Sequence, residues 1–149
     1  MTLTLDDTAT LTAPGQAPDP ASGPRTAVAV GLTAIAVVHL VDLPGKSPSY
    51  LALLYVGLVA ACAALAGLAL LSTSQAVPLA AGVLAGAVMV AYVLTRTTGL
   101  PGAVDDIGNW AEPLGVAALA SEAATLGFAL LVGLVLARRG PRVVRTLRA

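Results

Sequence analysis

Charged side chains are scarce in this chain, and their scarcity limits the class of protein. Asp, Glu, Lys and Arg make up 11% of the 149 residues, whereas hydrophobic residues make up 57%. A soluble domain averages about 25% charged residues, which it uses to cover a water-facing surface. The mean hydropathy is +0.88. This composition excludes an ordinary soluble globular domain and indicates an integral membrane protein in contact with the lipid bilayer.

Residues that bind metals or cofactors are also few. The single cysteine, Cys62, cannot form an internal disulfide or a cysteine-based metal site. The single histidine, His39, cannot provide bis-His haem ligation within one chain. Nucleotide-binding and nucleophilic-catalysis motifs are missing as well. We therefore expect no cofactor and no bound metal, and a redox or metal-dependent enzyme using His39, Asp42 and Glu122 is the third alternative.

Four apolar runs are long enough to cross a bilayer, which takes about 20 helical residues. Pro- and Gly-containing segments separate the runs. We predict an all-α fold, a four-transmembrane-helix bundle over residues 26–137, with spans at about 26–43, 50–71, 76–98 and 113–137. The Thr-, Ala- and Pro-rich residues 1–25 are predicted to form a disordered cytoplasmic tail, and residues 138–149 a basic cytoplasmic tail.

Small residues recur four positions apart, as in Gly82 with Gly86 and Ala129 with Gly133. This spacing lets helix backbones approach closely in lipid. It favours a compact bundle over four separated helices.

The basic residues are distributed unevenly between the two sides of the membrane. Arg25 and five arginines within residues 138–149 lie on the side of both termini, whereas Lys46 and Arg96 lie on the other side. Loops rich in Lys and Arg stay in the cytoplasm. We predict cytoplasmic termini, external loops at 43–49 and 99–112, and a multi-pass location in the plasma membrane (the bacterial inner membrane). The basic tail is then a topology signal that contacts lipid, with no nucleic-acid partner.

Glu122 is the most informative residue, because it is the only charge between Leu114 and Ala137. A carboxylate at such a depth costs roughly 2.5–3.5 kcal/mol and needs a protein or water partner. It lies ~13 Å below the start of its span, at 1.5 Å rise per residue. We therefore expect Glu122 to belong to a polar cluster inside the bundle.

The other polar residues of the spans lie in the same half of the membrane. Helical side chains lean toward the helix N-terminus, so Arg96 and His39 should lean toward Glu122. We predict that Arg96 pairs with Glu122. The predicted ligand- or proton-binding residues are Glu122, Arg96, His39, Tyr92, Tyr55 and Asp42.

Simpler interpretations stay open for several of these residues. Arg96 can extend to the interface, and His39 can bond to a backbone carbonyl. Asp105, Asp106 and Glu112 are interpreted as solvated loop charges or as anions at a helix start.

One segment carries a family resemblance. Residues 94–102 read LTRTTGLPG, and residues 106–115 read DIGNWAEPLG. This pattern resembles an uncharacterised family of small four-span, mainly actinobacterial membrane proteins with an [S/T]RTxGLPG motif before the last transmembrane helix. The resemblance covers residues 26–137 and implies the same architecture. It singles out Arg96, Trp110 and Glu122 but implies no activity.

Two functions follow as the main hypotheses. The first is a non-enzymatic membrane protein with an outward-facing polar pocket for a small ligand, ion or proton. The second is a structural or accessory subunit, in a homo-oligomer or a membrane complex, with Arg96–Glu122 as a packing lock.

Overall fold

The computed structural model describes residues 22–46, 49–101 and 104–138. Within these ranges the chain forms four long helices, which confirms the all-α prediction. They are α1 (Ser22–Asp42), α2 (Tyr50–Leu71), α3 (Ala76–Thr97) and α4 (Pro113–Arg138), and a short 3-10 helix, Leu43–Lys46, follows α1. The predicted tails lie outside the described residues, except for residues 22–25 and Arg138.

The helix boundaries follow the breakers in the sequence. Helix α2 covers the predicted span, and α4 begins at Pro113, whose missing N–H costs nothing in a first turn. Helix α1 begins at Ser22, four residues before the predicted start of the span at residue 26. Pro24 is compatible with this earlier start because it also lies in a first helical turn.

All four helices of the described residues are long and apolar enough to cross a membrane. Large apolar side chains are exposed along each of them, as expected where the surroundings are lipid rather than water. Helix α2 is the extreme case, because only Cys62 and Ala69 are buried within it. This is the architecture of a multi-pass membrane protein in contact with a lipid bilayer.

The helices do not pack in chain order. Helix α1 packs against α2 and α4, and α4 packs against α3, whereas the consecutive helices α2 and α3 touch little. The sequence of neighbours is therefore α2–α1–α4–α3. The core contains Val28, Leu32, Ile35 and Val132, which are fully buried. The weak contact leaves a gap between α2 and α3.

Two small-residue contacts bring α4 close to its neighbours. A Cβ added to Gly82 of α3 would lie 3.2 Å from the Ala129 Cβ of α4, so these two helices touch at the predicted residues. A Cβ added to Gly86 or Gly133 would have no neighbour within 4 Å, so the second glycine of each spaced pair makes no close contact. Gly31 of α1, which the motif search missed, would clash with the Thr125 side chain if it carried a Cβ.

A glycine turn ends α3 and directs the following loop. Gly99 has a φ of +74°, which favours glycine, and its N–H donates to the Leu94 carbonyl at 2.9 Å. The loop then folds back, because the Gly108 N–H donates to the Arg96 carbonyl at 2.9 Å. The acidic loop residues are thereby held beside the last turn of α3.

Candidate ligand-binding site

A cavity of about 460 Å³ lies between α2 and α3. It lies toward the end of the bundle that carries the α1–α2 and α3–α4 connections, which we call the loop end. Its walls are mainly leucine, valine and alanine side chains. All six predicted site residues line it: His39, Asp42, Tyr55, Tyr92, Arg96 and Glu122. The structure thus brings the predicted set together around one cavity.

Arg96 does not pair with Glu122, and that part of the prediction is wrong. Its guanidinium lies 2.7 Å from the Asp106 carboxylate and 3.3 Å from the Glu112 carboxylate. Arg96 is in the last turn of α3. The α3–α4 loop folds back beside this turn and brings the two carboxylates next to the guanidinium. With this pair absent, the Arg96–Glu122 packing lock is absent too.

Glu112 accepts hydrogen bonds from the backbone at the start of α4 in addition to its ion pair with Arg96. Its carboxylate accepts hydrogen bonds from the backbone N–H groups of Leu114 at 3.1 Å and Gly115 at 2.6 Å. These groups belong to the first turn of α4, where a negative charge is favourable. The interpretation as a helix-start anion is therefore confirmed for Glu112.

Gly115 is required for the same arrangement. A Cβ at this position would lie 2.7–2.9 Å from side-chain atoms of Tyr92, Glu112 and Arg96. The missing side chain lets these groups approach the start of α4.

The ion pairs continue across the loop end. The Lys46 ammonium lies 3.4 Å from the Asp42 carboxylate and 3.9 Å from the Asp106 carboxylate. We call Asp42, Lys46, Arg96, Asp106 and Glu112 the loop-end network. The interpretation of Asp106 as a solvated loop charge is wrong, because it bridges Lys46 and Arg96.

Aromatic residues support both sides of this network. The Tyr55 hydroxyl donates to the Asp42 carboxylate at 2.9 Å. The Arg96 guanidinium lies 4.9 Å from the Tyr92 ring centroid, a cation–π distance. The Tyr92 hydroxyl donates to the Trp110 carbonyl at 3.3 Å, which fixes the ring beside Arg96.

Below this network, His39 of α1 faces Glu122 of α4, and we call these two residues the buried pair. Glu122 is 0% exposed and His39 is 6% exposed. The distance from His39 Nε2 to Glu122 Oε1 is 3.9 Å, too long for a hydrogen bond. Among the described residues, neither Glu122 oxygen has a hydrogen-bond partner. Both side-chain oxygens of the residue that first indicated a site therefore stay unsatisfied.

The geometry also fixes one proton of His39. Nδ1 lies 2.9 Å from the Ile35 carbonyl oxygen. A carbonyl only accepts, so Nδ1 carries a hydrogen and donates. Nε2 then points toward Glu122, and the edge of the imidazole packs against the Tyr55 ring with centroids 4.9 Å apart. The predicted carbonyl bond of His39 is confirmed, and it coexists with the approach to Glu122.

The proposed metal ligands do not converge. Within residues 22–46, 49–101 and 104–138, no group of three His, Cys, Asp or Glu side chains is placed to hold a metal ion. Asp42 instead contacts Tyr55 and Lys46. The His39, Asp42 and Glu122 combination therefore lacks the geometry of a metal centre.

Sequence reasoning missed part of the site. Lys46, Asp106 and Glu112 line the cavity but were not among the predicted binding residues. A signal for Asp106 and Glu112 did exist, because both follow the LTRTTGLPG turn closely. A glycine turn that reverses the chain after an arginine places the next acidic residues near that arginine.

Comparisons of the chain with protein-family models, with curated proteins and with solved structures found no match. The family resemblance of residues 94–115 stays a prediction. The function is therefore argued from the geometry of the cavity.

Proposed function

We propose that this protein is a membrane-embedded binding protein whose cavity takes up a small ligand or a proton at the buried pair. One observation carries the proposal: Glu122 is fully buried, lines the cavity, and has no hydrogen-bond donor for either carboxylate oxygen among the described residues. Leaving a buried polar group unsatisfied is costly, and more so when it is charged. A ligand or a proton removes that cost.

The buried pair is suited to exchanging a proton with a ligand. One proton, on either the Glu122 carboxyl or the His39 imidazole, gives the two facing atoms one donor and one acceptor. A ligand that supplies its own donor to Glu122 makes this proton unnecessary. Binding and proton release are then linked at the same atoms.

The loop-end network forms the rim of the cavity in this proposal. Its ion pairs hold Arg96 and Lys46 at the loop end, and neither cation pairs with Glu122. The uneven distribution of arginines supports cytoplasmic termini. The rim then faces the outside of the plasma membrane, and the cavity opens toward that side.

An accessory subunit of a membrane complex or a homo-oligomer is the second candidate. Its supporting observation is α2, which buries only Cys62 and Ala69 and so leaves a long apolar face for another helix. This candidate needs no ligand. It predicts that the purified protein has an empty cavity and that changes on α2 alter the assembly.

Native mass spectrometry of the detergent-purified full chain separates the two candidates. Glu122→Gln keeps the size of the side chain and removes its charge. Asp105→Asn is the matched control, because Asp105 is exposed and does not line the cavity. We expect a bound small molecule in the wild type and in Asp105→Asn, and its loss in Glu122→Gln. An adduct that persists in Glu122→Gln, or an empty wild type, contradicts the uptake of a small ligand at the buried pair.

A further inference from the structure

We propose that the ligand of this cavity is a lipophilic cation, a small apolar molecule with one positive charge. The inference rests on the proposed binding function and goes further by naming the ligand class. Four features of the cavity carry it: its unsatisfied acceptors, its charge balance, its apolar walls and its opening between two helices.

The base of the cavity offers acceptors. Both oxygens of Glu122 are buried without a donor among the described residues. His39 uses its Nδ1 hydrogen on the Ile35 carbonyl, so the neutral imidazole presents an accepting Nε2 beside Glu122. A ligand that fits here brings positive charge or hydrogen-bond donors. An anion would meet a carboxylate and is excluded by like-charge repulsion.

The charges around the cavity do not balance, because four carboxylates face two cations in the described part of the chain. Of the described residues that line it, Lys46 and Arg96 are the cations, and the carboxylates are Asp42, Asp106, Glu112 and Glu122. Lys46 and Arg96 pair with the first three of these carboxylates. No ion pair joins either cation to Glu122. A monovalent cation at Glu122 would give this carboxylate a charged partner and reduce the excess of negative charge in the cavity.

The walls favour an apolar body for this cation. Leucine side chains from α2 and α3 line the cavity, among them Leu54, Leu58 and Leu84. Tyr55 also lines it, and the faces of aromatic rings attract cations. The volume of about 460 Å³ lies within the range of small-molecule pockets, roughly 300–1,000 Å³.

The gap between α2 and α3 gives such a molecule a path from the lipid. These helices touch little although a short turn connects them. Leu53 and Leu54 line the cavity and are exposed on α2. A cation with an apolar body partitions into the bilayer and can reach Glu122 from the side, whereas a strongly hydrated ion cannot.

Two probes of almost equal shape and opposite charge test the inference. Tetraphenylphosphonium is a lipophilic cation, and tetraphenylborate is the corresponding anion. Each is measured by equilibrium dialysis against the full-length protein in detergent micelles, with protein-free micelles subtracted. The comparison uses the wild type alone, so it does not depend on the folding of a variant.

We expect saturable binding of tetraphenylphosphonium to the wild type and none of tetraphenylborate above the micelle background. Glu122→Gln should weaken tetraphenylphosphonium binding about ten-fold or more, since it removes a charged partner. Asp105→Asn should bind like the wild type.

Each contrary result has a distinct meaning. Equal or tighter binding of tetraphenylborate overturns the cation class and leaves the binding function standing. The same conclusion follows if neither probe binds while native mass spectrometry shows a Glu122-dependent adduct. If neither probe binds and no adduct is present, the ligand class and the binding of any small ligand both fail.

Discussion

The loop-end network and the buried pair are two polar regions of one cavity, and they treat charge in opposite ways. In the network, each charged group has an oppositely charged partner within 4.0 Å. In the buried pair, Glu122 has no hydrogen-bond partner among the described residues, and His39 stays 3.9 Å away. Both regions line the same cavity, but its two cations among the described residues, Lys46 and Arg96, pair with carboxylates of the loop end and not with Glu122.

The difference separates a stabilising role from a binding role. Removing one member of a buried ion pair destabilises a fold, because it leaves the other charge with fewer partners. A buried carboxylate without a partner costs stability. We infer that Arg96 holds the loop end together and that Glu122 is retained for what it binds.

The largest expected effect comes from breaking the network. Arg96→Ala removes a buried guanidinium together with its contacts to Asp106, Glu112 and the Tyr92 ring, so we expect a loss of about 3 kcal/mol in the free energy of unfolding. Reversible unfolding in mixed micelles measures it. A loss below roughly 1 kcal/mol, the value for an exposed ion pair, would show that the network contributes little to stability.

A smaller effect is expected where α1 meets α4, the contact that brings His39 to Glu122. Gly31→Ala places a Cβ against the Thr125 side chain, and such overpacking costs about 1–3 kcal/mol. Gly133→Ala is the matched control, because no atom lies within 4 Å of its Cβ position. The control should gain up to about 1 kcal/mol from the better helix propensity of alanine. Equal effects of the two changes in the same unfolding assay would contradict the close α1–α4 contact.

Glu122→Gln should change stability less than either of these variants. The amide keeps the volume and removes a charge that has no partner, so we expect a free energy of unfolding within about 1 kcal/mol of the wild type, equal or higher. Chemical unfolding of the ligand-free protein is the measurement. A loss close to that of Arg96→Ala would mean that Glu122 is a structural residue after all.

The smallest effect is expected outside both regions. Asp105 is exposed in the α3–α4 loop, next to the network residue Asp106. Asp105→Asn should change the free energy of unfolding by less than about 0.5 kcal/mol, as surface substitutions do, whereas Asp106→Asn should be clearly destabilising. Comparable losses of stability in the two variants would show that the stability does not depend on the ion pairs that Asp106 forms.

Much of the fold could be predicted from the sequence because membrane helices leave a strong signal in hydropathy. The limits of α2 and the start of α4 follow from apolar runs bounded by Pro and Ser. The helix neighbours could not be predicted in this way. The pattern of small residues indicated Gly82 and Ala129 correctly but gave equal weight to Gly86 and Gly133, which make no close contact.

The sequence predicted which polar side chains lie together, but not how they pair. The depth of His39, Arg96 and Glu122 along their helices placed them in the same half of the membrane, and all three line the cavity. Their partners depend on where the α3–α4 loop goes. The turn at Gly99 and the hydrogen bond from Gly108 to Arg96 bring Asp106 within 2.7 Å of the guanidinium. When the depth of each residue is estimated along its own helix, the estimate does not show that the α3–α4 loop folds back toward Arg96.

The measurement that tests this account most directly is the unfolding of the wild type and Glu122→Gln with increasing tetraphenylphosphonium. A ligand that binds only the folded state stabilises it in proportion to the logarithm of its concentration above the dissociation constant. The account predicts that the wild type is progressively stabilised and that Glu122→Gln, equally well folded without ligand, is not. Equal stabilisation of both proteins, or of neither, would contradict a cation site at Glu122.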